Sequence, residues 1–212
     1  MNTRSQFDHL FTLYAPIAAF VFLVVLATLL FALVRYRAGR GHEPSQKTQH
    51  KVLEPLAALV FIGAACFLAV NAANANAAER NQLGPAQLHV RITGFQWCWA
   101  FYYPASHVTV RGNCTTDTPT LVVPTGKVIG FSLTSADVVH EWWLPYARWK
   151  EEAFPGHFNY FKLRFDHPGH WSGLCDEFCG LYHDRMDFYV RAVSPARFDA
   201  WLAARAAKGP GA

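Results

Sequence analysis

Two long apolar stretches open the chain before its pattern changes. Residues 10–34 and 55–78 contain no Asp, Glu, Lys or Arg. As helices rising ~1.5 Å per residue, each stretch is longer than the ~30 Å hydrocarbon core of a bilayer. The pattern therefore predicts a hairpin of two transmembrane helices. A cleaved signal peptide is the alternative for the first stretch, but its apolar run exceeds the usual ~7–15 residues and only Arg4 precedes it as a fixed positive charge.

Apolar and polar residues alternate in much of the sequence after residue 79. Leu88, Val90 and Ile92 alternate with polar neighbours, and so do Phe188 and Val190, which is the period of a half-buried strand. Further candidate strands are residues 107–111, 120–123, 127–134 and 160–165. Short strands separated by Pro and Gly favour an all-β Greek-key sandwich of cupredoxin type.

These patterns divide the chain into two predicted domains. Residues 1–78 form a membrane anchor, and residues 79–212 form the β-sandwich domain. The sandwich is expected to end in a helix, because Ser194-Pro195 has the form of an N-cap followed by proline in the first helical turn. We expect this helix to continue to about Ala207.

The loop between the two apolar stretches is basic. Its charged residues are Arg35, Arg37, Arg40, Lys47 and Lys51 against Glu43. The positive-inside rule places such a loop in the cytoplasm, which leaves both ends of the hairpin outside. A nucleic-acid interaction explains the loop less well, because its position between two spans accounts for the charge. The β-domain is therefore expected in the bacterial periplasm or, for an organellar protein, in the intermembrane space.

Soft and borderline metal donors are concentrated in one segment of the β-domain and one residue upstream. These candidate donors are His140, Cys175, Cys179, His183 and Met186, and Glu177 lies between the two cysteines. Thiolate and thioether sulfur suit copper in its lower oxidation state, while imidazole suits either state. The mixture therefore predicts a copper ion that alternates between the two states, which is the chemistry of electron transfer.

Other interpretations of this segment remain open. Cys175, Cys179 and His183 recur every four residues and so fit a helix stripe, although Gly173 and Gly180 argue against a regular helix. The two cysteines also suit a disulfide in an oxidising compartment. Zinc accepts two Cys and two His but has no use for a thioether. A mononuclear blue-copper site explains every donor except the second cysteine.

Two cysteines indicate two metal ions, because thiolates can bridge. Two bridging sulfurs with one terminal imidazole per copper would hold a compact dinuclear centre, in which each copper needs one further weak donor. The bridges would be Cys175 and Cys179, the terminal ligands His140 and His183, and the weak donors Met186 and the main-chain carbonyl of Glu177.

The donor motif resembles the copper A motif of subunit II of haem-copper cytochrome c oxidases. Residues 94–99, 135–145 and 153–156 are also similar to signatures of that family, and the likeness spans nearly the whole chain. The resemblance implies a subunit that accepts electrons from cytochrome c and passes them to haem in subunit I. Oxygen is reduced to water in subunit I, so the chain is enzymatic only as the electron-accepting subunit of the complex.

Further residue roles are implied by the resemblance alone. Trp97 occupies the position where electrons from cytochrome c enter, and His183 faces the acceptor. The carboxylate of Glu177 helps to bind a magnesium or manganese ion shared with subunit I. Glu54 marks the entrance of a proton path into subunit I, although its place beside Pro55 at a helix N-terminus also has a purely structural explanation.

The net charge of +4 conceals an acidic copper-binding region. Between Arg111 and Asp187 there are ten Asp or Glu against seven Lys or Arg. The acidic residues nearest the motif are Asp137, Glu141, Glu151, Glu152, Asp176, Asp184 and Asp187. Together they are expected to attract a basic electron donor, an effect that salt weakens. In the same region Cys98 and Cys114 are candidates for a disulfide across a hairpin, which the sequence leaves open.

The expected setting is the bacterial inner membrane, favoured over the mitochondrial inner membrane. The expected partners are subunit I, other oxidase subunits, cytochrome c and the lipid bilayer, with no nucleic acid. Three rivals remain: a quinol oxidase subunit II, which lacks the copper ligands; a copper-delivery protein, which has little use for His183 and Met186; and nitrous oxide reductase, a much longer soluble chain. A c-type haem is excluded because no Cys-x-x-Cys-His occurs.

Overall fold

Two long helices make up the first part of the chain. The computed structural model describes residues 3–37, 49–81 and 83–207, and it divides them into two units near residue 79. Helix α1 spans Thr3–Arg35 and helix α2 spans Leu53–Asn81. Both are long and apolar enough to cross a membrane. Arg40, Glu43 and Lys47 of the predicted cytoplasmic loop lie outside the described residues.

The second unit is built from strands. Between residues 83 and 207 the strands are β1 (Leu88–Phe95), β2 (Cys98–Tyr103), β3 (Val108–Arg111), β4 (Thr120–Pro124), β5 (Val128–Ser135), β6 (His140–Leu144), β7 (Trp149–Ala153), β8 (Asn159–Arg164), β9 (Gly169–Cys175) and β10 (Asp187–Val193). Helix α3 (Pro195–Ala206) follows them, with Ser194 in the extended N-cap conformation that the sequence predicts.

The strands form two five-stranded sheets. One has the order β3-β2-β1-β5-β8 and the other has the order β4-β10-β9-β6-β7. Strand β1 is parallel to β5, and β4 is parallel to β10, while the remaining neighbours are antiparallel. Each parallel pair joins strands that are distant in sequence, so the chain crosses between the sheets. The predicted β-sandwich is confirmed.

Aromatic rings fill the space between the sheets. The ring of Trp142 lies 4.9 Å from that of Phe188 and 5.5 Å from that of Phe161. The rings of Trp99 and Phe101 meet that of Phe188 edge-on, at 5.8 and 6.1 Å. Such pairs add to the stability gained from burial alone. The strands that carry the predicted metal ligands are therefore supported by a densely packed core.

A disulfide joins Cys98 to Cys114, with their Cα atoms 5.2 Å apart. It ties the first residue of β2 to the loop that follows β3. The same loop is held by Asn113, whose Oδ1 accepts hydrogen bonds from the backbone N–H groups of Thr115, Thr116 and Asp117. The bond that the sequence left open is formed, and it fixes the segment directly after Trp97.

Tyr103 connects the two sheets through its hydroxyl group. The hydroxyl of this fully buried β2 residue donates to the carbonyl of Val122 at 2.8 Å and accepts from its N–H at 3.0 Å. Strand β4, which carries Val122, lies at the edge of its sheet. Tyr103 therefore satisfies backbone groups that have no neighbouring strand. Burial raises the pKa of this phenol far above its ordinary value.

Alkaline pH is expected to destabilise the domain through Tyr103. A phenol whose pKa is higher in the folded than in the unfolded chain contributes stability that is complete below pH ~10 and is lost as the pH rises further. Tyr103→Phe should cost ~1–3 kcal/mol at neutral pH, because two buried backbone groups lose their partner. The Tyr103→Phe variant should also lose less of its free energy of unfolding than the wild type as the pH rises above ~10. Urea unfolding at neutral and alkaline pH measures both effects, and Tyr146→Phe, at an exposed tyrosine, is the control. If the free energy of unfolding falls equally at alkaline pH with and without Tyr103, the prediction is wrong.

Candidate metal centre

Two neighbouring strands and one loop bring the predicted ligands together. His140 is the first residue of β6 and Cys175 is the last residue of β9. These strands are paired, with Trp142 opposite Cys175, so the two ligands lie at the same end of the sheet. Residues 176–186 connect β9 to β10 and supply the remaining donors. The helix stripe considered from the sequence is wrong, because this segment contains only a short 3-10 turn at residues 183–185.

The two cysteine sulfurs lie at the centre of the site. Their Sγ atoms are 3.9 Å apart, and both cysteines are free. The Nδ1 atom of His140 is 3.9 Å from the sulfur of Cys175, and the Nδ1 atom of His183 is 3.6 Å from the sulfur of Cys179. Each imidazole thus approaches a different sulfur. The alternative of a Cys175–Cys179 disulfide is wrong for this structure.

Weaker donors complete the group. The thioether sulfur of Met186 is 3.7 Å from the sulfur of Cys179, and the main-chain oxygen of Glu177 is 3.3 Å from the sulfur of Cys175. The side chain of Glu177 is exposed, and the contact that this residue makes with the cluster is through its main-chain oxygen. All six donors predicted from the sequence are therefore assembled, with Glu177 contributing its carbonyl.

The spacing and burial of the donors fit a metal ion. With metal–sulfur bonds of ~2.3 Å, one ion can contact two sulfurs that are up to ~4.6 Å apart, and these are closer. The ligand atoms of His140, Cys175 and Cys179 lie within 4.8 Å of one another. All three residues are buried, and Met186 is fully buried. The donor set of thiolate, thioether and imidazole suits copper.

The thiols are protonated in the absence of a cation. Burial, followed by the influence of Cys175, raises the pKa of Cys179 to about 12. Burial likewise raises the pKa of Cys175 and lowers the pKa of His140. Charged thiolates are therefore unfavourable here until a metal ion neutralises them. Metal binding must displace thiol protons, as is general for thiolate ligands.

Asp137 orients the His140 ring. Its Oδ1 atom is 2.8 Å from Nε2 of His140, which leaves Nδ1 directed towards the sulfurs. Burial raises the pKa of Asp137, but hydrogen bonds from the N–H of Gln96, the His140 ring and the N–H of Val138 outweigh it, so the pKa is below its ordinary value. A carboxylate of this kind fixes the tautomer of a metal-binding histidine. From the sequence Asp137 was expected only as one of the surface acids, although its spacing of three residues from His140 is visible there.

Trp97 lies directly on the ligand loop. Its indole N–H donates to the main-chain oxygen of Cys179 at 3.2 Å, and the amide of Gln96 donates to the same oxygen at 2.8 Å. The Trp97 ring also meets the ring of Tyr182 edge-on at 4.9 Å. Gly180 adopts a φ of +119°, and a Cβ there would lie 3.2 Å from the Trp97 nitrogen. Trp97 is partly exposed, so it joins the surface to the site.

Glu54 belongs to the other unit. It lies in the first turn of α2, where its carboxylate accepts a hydrogen bond from the backbone N–H of His50 at 2.8 Å. This contact satisfies one of the free N–H groups before the helix. This hydrogen bond supports the structural explanation for a glutamate at the start of the helix. The role of Glu54 in a proton path stays a prediction.

The acidic surface near the site is smaller than the sequence indicates. Glu141 and Glu151 are buried. The ammonium group of Lys150 lies 3.3 Å from the carboxylate of Glu141 and 2.9 Å from that of Asp176. Of the seven acids named from the sequence, those that face solvent are Asp137, Glu152, Asp176, Asp184 and Asp187, and two of these also bond to His140 and Lys150. The sequence could not distinguish these because strand β7 had not been predicted.

Exposed apolar side chains surround the ligand loop. Phe178, Leu181 and Tyr182 are 79%, 75% and 44% exposed. Apolar groups clustered on a surface beside polar residues commonly mark a site of protein contact. The loop that supplies the candidate donors therefore also exposes three large apolar side chains to solvent.

Known proteins share these features. The family profile described as cytochrome c oxidase subunit II, periplasmic domain, matches residues 88–193. A probable cytochrome c oxidase subunit 2 of Streptomyces avermitilis is 32% identical over 57% of this chain and 49% of its own length. Cytochrome c oxidase subunit 2 of Cereibacter sphaeroides is 27% identical over 89% of this chain and 71% of its own length. The chain thus spans about half the length of some relatives that it matches.

Solved structures agree with this similarity. The periplasmic domain of subunit II of cytochrome oxidase from Bradyrhizobium japonicum is 30% identical, with a TM-score of 0.55, over 59% of this chain and 97% of that one. A mixed disulfide intermediate between a thioredoxin-like protein and subunit II of cytochrome c oxidase is 29% identical, with a TM-score of 0.52, over 59% of this chain and 95% of that one.

The β-sandwich and its site define a cupredoxin-like domain with a group of soft donors that could hold a metal ion, preceded by two helices that are able to cross a membrane. The matched profile covers half of the chain and the whole of the β-sandwich. The chain belongs to the cytochrome c oxidase subunit II family. Two apolar helices and a periplasmic-domain profile fit a bacterial membrane protein.

Proposed function

We propose that this chain is the electron-accepting subunit of a cytochrome c oxidase in the bacterial inner membrane. In this proposal it takes electrons from cytochrome c at a dinuclear copper A centre and delivers them to haem in subunit I, where oxygen is reduced. Residues 1–78 anchor the subunit, and the domain from residue 79 onwards lies in the periplasm. The observation that carries the proposal is the assembly of two free thiols, two imidazoles and a thioether at one end of the sandwich.

The number of sulfur ligands favours two coppers over one. Cys175 and Cys179 are equally buried and lie close enough to share a metal ion. His140 approaches one sulfur and His183 approaches the other, so each of two ions has its own terminal imidazole. When bound, copper supplies one-electron redox chemistry by alternating between its two oxidation states. A mononuclear blue-copper site, which uses two His, one Cys and a weak axial Met, would leave the second cysteine without a role.

The protein frame limits movement of the ligands. His140 is held by Asp137 on one side and by strand pairing on the other. The backbone N–H of Cys175 donates to the main-chain oxygen of Met186 at 3.1 Å, which closes the ligand loop at its base. Little rearrangement is then needed when the charge of the centre changes. Small rearrangement favours fast electron transfer.

Trp97 is the proposed point where an electron enters the subunit. Its ring is partly exposed, and its N–H is bonded to the backbone of Cys179, which is a proposed bridging ligand. This gives one continuous path from the surface to the centre. The exposed Phe178, Leu181 and Tyr182 add apolar contact area, and exposed acids beside them suit a basic donor such as cytochrome c.

Two further roles are proposed for acidic residues. The exposed carboxylate of Glu177 is free to help bind a magnesium or manganese ion together with subunit I, while its carbonyl faces the copper ligands. Glu54, at the start of α2, is proposed to mark the entrance of a proton path into subunit I, because an ionisable group at the edge of a membrane span is a natural functional candidate.

Metal analysis with electron paramagnetic resonance tests the proposal. The copper-loaded chain, purified in detergent, should contain two coppers per chain. One unpaired electron shared equally by two copper nuclei should give a seven-line hyperfine pattern. A single copper with a four-line pattern, or zinc in the site of an active oxidase, would overturn the proposal.

A further inference from the structure

We propose that Trp99 is a positioning residue of the metal centre. Its ring contact holds His140 in place, and its hydrogen bond to the backbone of Met186 holds that residue in place. The inference rests on the proposed function, because it concerns two of the proposed copper ligands. Trp99 itself touches no donor atom and is not proposed as a ligand.

Trp99 makes two contacts with the ligand set from within the core. Its side chain is fully buried, and its indole Nε1 donates to the main-chain oxygen of Met186 at 3.2 Å. Its ring lies edge-on to the ring of His140, with centroids 5.9 Å apart and planes at 61°. His140 and Met186 are likewise fully buried. The indole therefore spans the distance between a strong ligand and a weak one.

The Met186 oxygen is a junction for the site. It accepts a hydrogen bond from the backbone N–H of Cys175 at 3.1 Å as well as the bond from Trp99. Both acceptor positions of this carbonyl are thus used. One oxygen connects a proposed bridging ligand, a proposed weak ligand and the aromatic core. Loss of the indole bond would leave the Met186 carbonyl with only the bond from Cys175, beside the bond that the Met186 N–H donates to the carbonyl of His183.

Gly94 gives Trp99 and His140 the space to meet. A Cβ at position 94 would lie 3.0 Å from Cδ2 of His140 and 3.1 Å from Cζ3 of Trp99. Both distances are shorter than ordinary van der Waals contacts, and both rings are enclosed by the core. A side chain at position 94 would therefore press on the two rings together. The geometry of the pair depends on the absence of that side chain.

Other buried tryptophans show that this bond is not required for packing. Trp142 is also fully buried and stacks on Phe188, the residue that Trp99 contacts edge-on. Among the described residues, the indole nitrogens of Trp142 and Trp149 have no hydrogen-bond partner. This core therefore accepts indoles without a bonded N–H. The bond of Trp99 is directed specifically at the backbone of a ligand.

The thioether is the ligand most sensitive to such a bond. A weak donor has a shallow energy minimum. A small backbone shift therefore changes the distance between the metal and the thioether more than an equal shift changes the distance between the metal and a thiolate. The axial thioether is also a recognised means of tuning the potential of a copper site. Trp99 is thus placed to fix a property of the centre without contacting the metal.

The test compares Trp99→Phe with Trp142→Phe in the full chain in detergent. Both changes shorten a buried ring, but only the first removes a hydrogen bond. Copper loading, the electron paramagnetic resonance spectrum and the rate of copper release to a chelator are measured for each. Trp99→Phe should alter the hyperfine splitting and speed copper release by about threefold to tenfold, the usual effect of one hydrogen bond. Trp142→Phe should leave the spectrum unchanged.

An isosteric replacement guards against misfolding. Benzothienylalanine at position 99 keeps the ring shape and lacks the N–H, so it should reproduce the spectral change in a folded chain. In the metal-free protein, the indole proton of Trp99 should exchange with solvent more slowly than that of Trp142 in nitrogen-15 spectra.

An unchanged copper spectrum with either replacement of Trp99, or equal effects at positions 99 and 142, would overturn the inference. If the wild-type chain instead binds one copper, the dinuclear proposal fails. The contrast between positions 99 and 142 would still decide the role of Trp99 in the spectrum of that single ion.

Discussion

Replacing Cys179 with serine is expected to abolish the shared electronic state of the copper centre. A hydroxyl group is a harder donor than a thiolate and is not ionised at neutral pH, so it does not bridge two coppers in the same way. The structure places the Cys179 sulfur 3.9 Å from that of Cys175, 3.6 Å from His183 and 3.7 Å from Met186. Its loss therefore affects three contacts between donors, as many as loss of the Cys175 sulfur would affect. Copper-loaded Cys179→Ser should show a four-line spectrum in place of seven lines, and bind less copper.

Cys66→Ser is the matched control for Cys179→Ser. Cys66 is an exposed free cysteine in α2, so its replacement removes a thiol without touching the β-sandwich. Copper content and spectrum should be those of the wild type. A seven-line spectrum that survives in Cys179→Ser would refute the bridging role of that sulfur, and a change in Cys66→Ser would show that copper is bound elsewhere.

Replacing Trp97 with phenylalanine is expected to slow electron uptake while leaving the copper spectrum unchanged. Phenylalanine keeps an aromatic ring but removes the N–H that bonds to the main-chain oxygen of Cys179. The electron must then cross a gap through space, and its transfer rate falls exponentially with such a gap. The rate of electron transfer from reduced cytochrome c should fall about tenfold or more, equivalent to at least ~1.4 kcal/mol in the barrier. Stopped-flow mixing of the assembled oxidase with reduced cytochrome c measures it.

Trp171→Phe is the control for this measurement. Trp171 is also partly exposed, and its ring packs on that of Tyr146 at 4.0 Å. It lies within β9, before the ligand loop begins. Its replacement should leave the rate unchanged. An unchanged rate in Trp97→Phe would move the point of electron uptake to another residue. A reduced rate together with an altered copper spectrum would mean that Trp97 acts through the geometry of the site.

The sequence predicted most of the fold because its strands alternate clearly. Strands β1, β5 and β10 contain apolar residues at every second position, and these residues are buried except for the half-buried Leu88. Strand β7 was missed because its sequence, Trp-Lys-Glu-Glu-Ala, buries Glu151 on the inner face, where an apolar residue is expected. Strand β9 was missed because it contains Gly169 and Gly173, and glycine usually marks a break in a strand. A Cβ at Gly173 would collide with Phe188, which explains this glycine in the observed packing.

The donor set of the metal centre was visible in the sequence, whereas its supporting contacts were not. Sulfur and imidazole ligands are rare enough to stand out by residue type and spacing. Asp137, Trp99 and Lys150 were not assigned supporting roles, because acids, tryptophans and lysines have many ordinary functions in a sandwich. Only the packing of β1, β2 and β7 beside the ligand loop gives them specific partners. Contacts between a ligand and the residues that support it depend on strand order, which local sequence does not encode.

The disulfide between Cys98 and Cys114 imposes a condition on how the domain matures. A compartment that oxidises this pair also exposes Cys175 and Cys179 to oxidation, yet the proposed copper centre needs both of these in the reduced state. The proposed function thus requires opposite redox states of the two cysteine pairs of one domain at the same time. Until copper arrives, the second pair is vulnerable, so metal delivery has to follow folding quickly or be accompanied by a reductant that spares the finished bond. Timing during biogenesis is therefore as much a requirement of this protein as its ligand geometry.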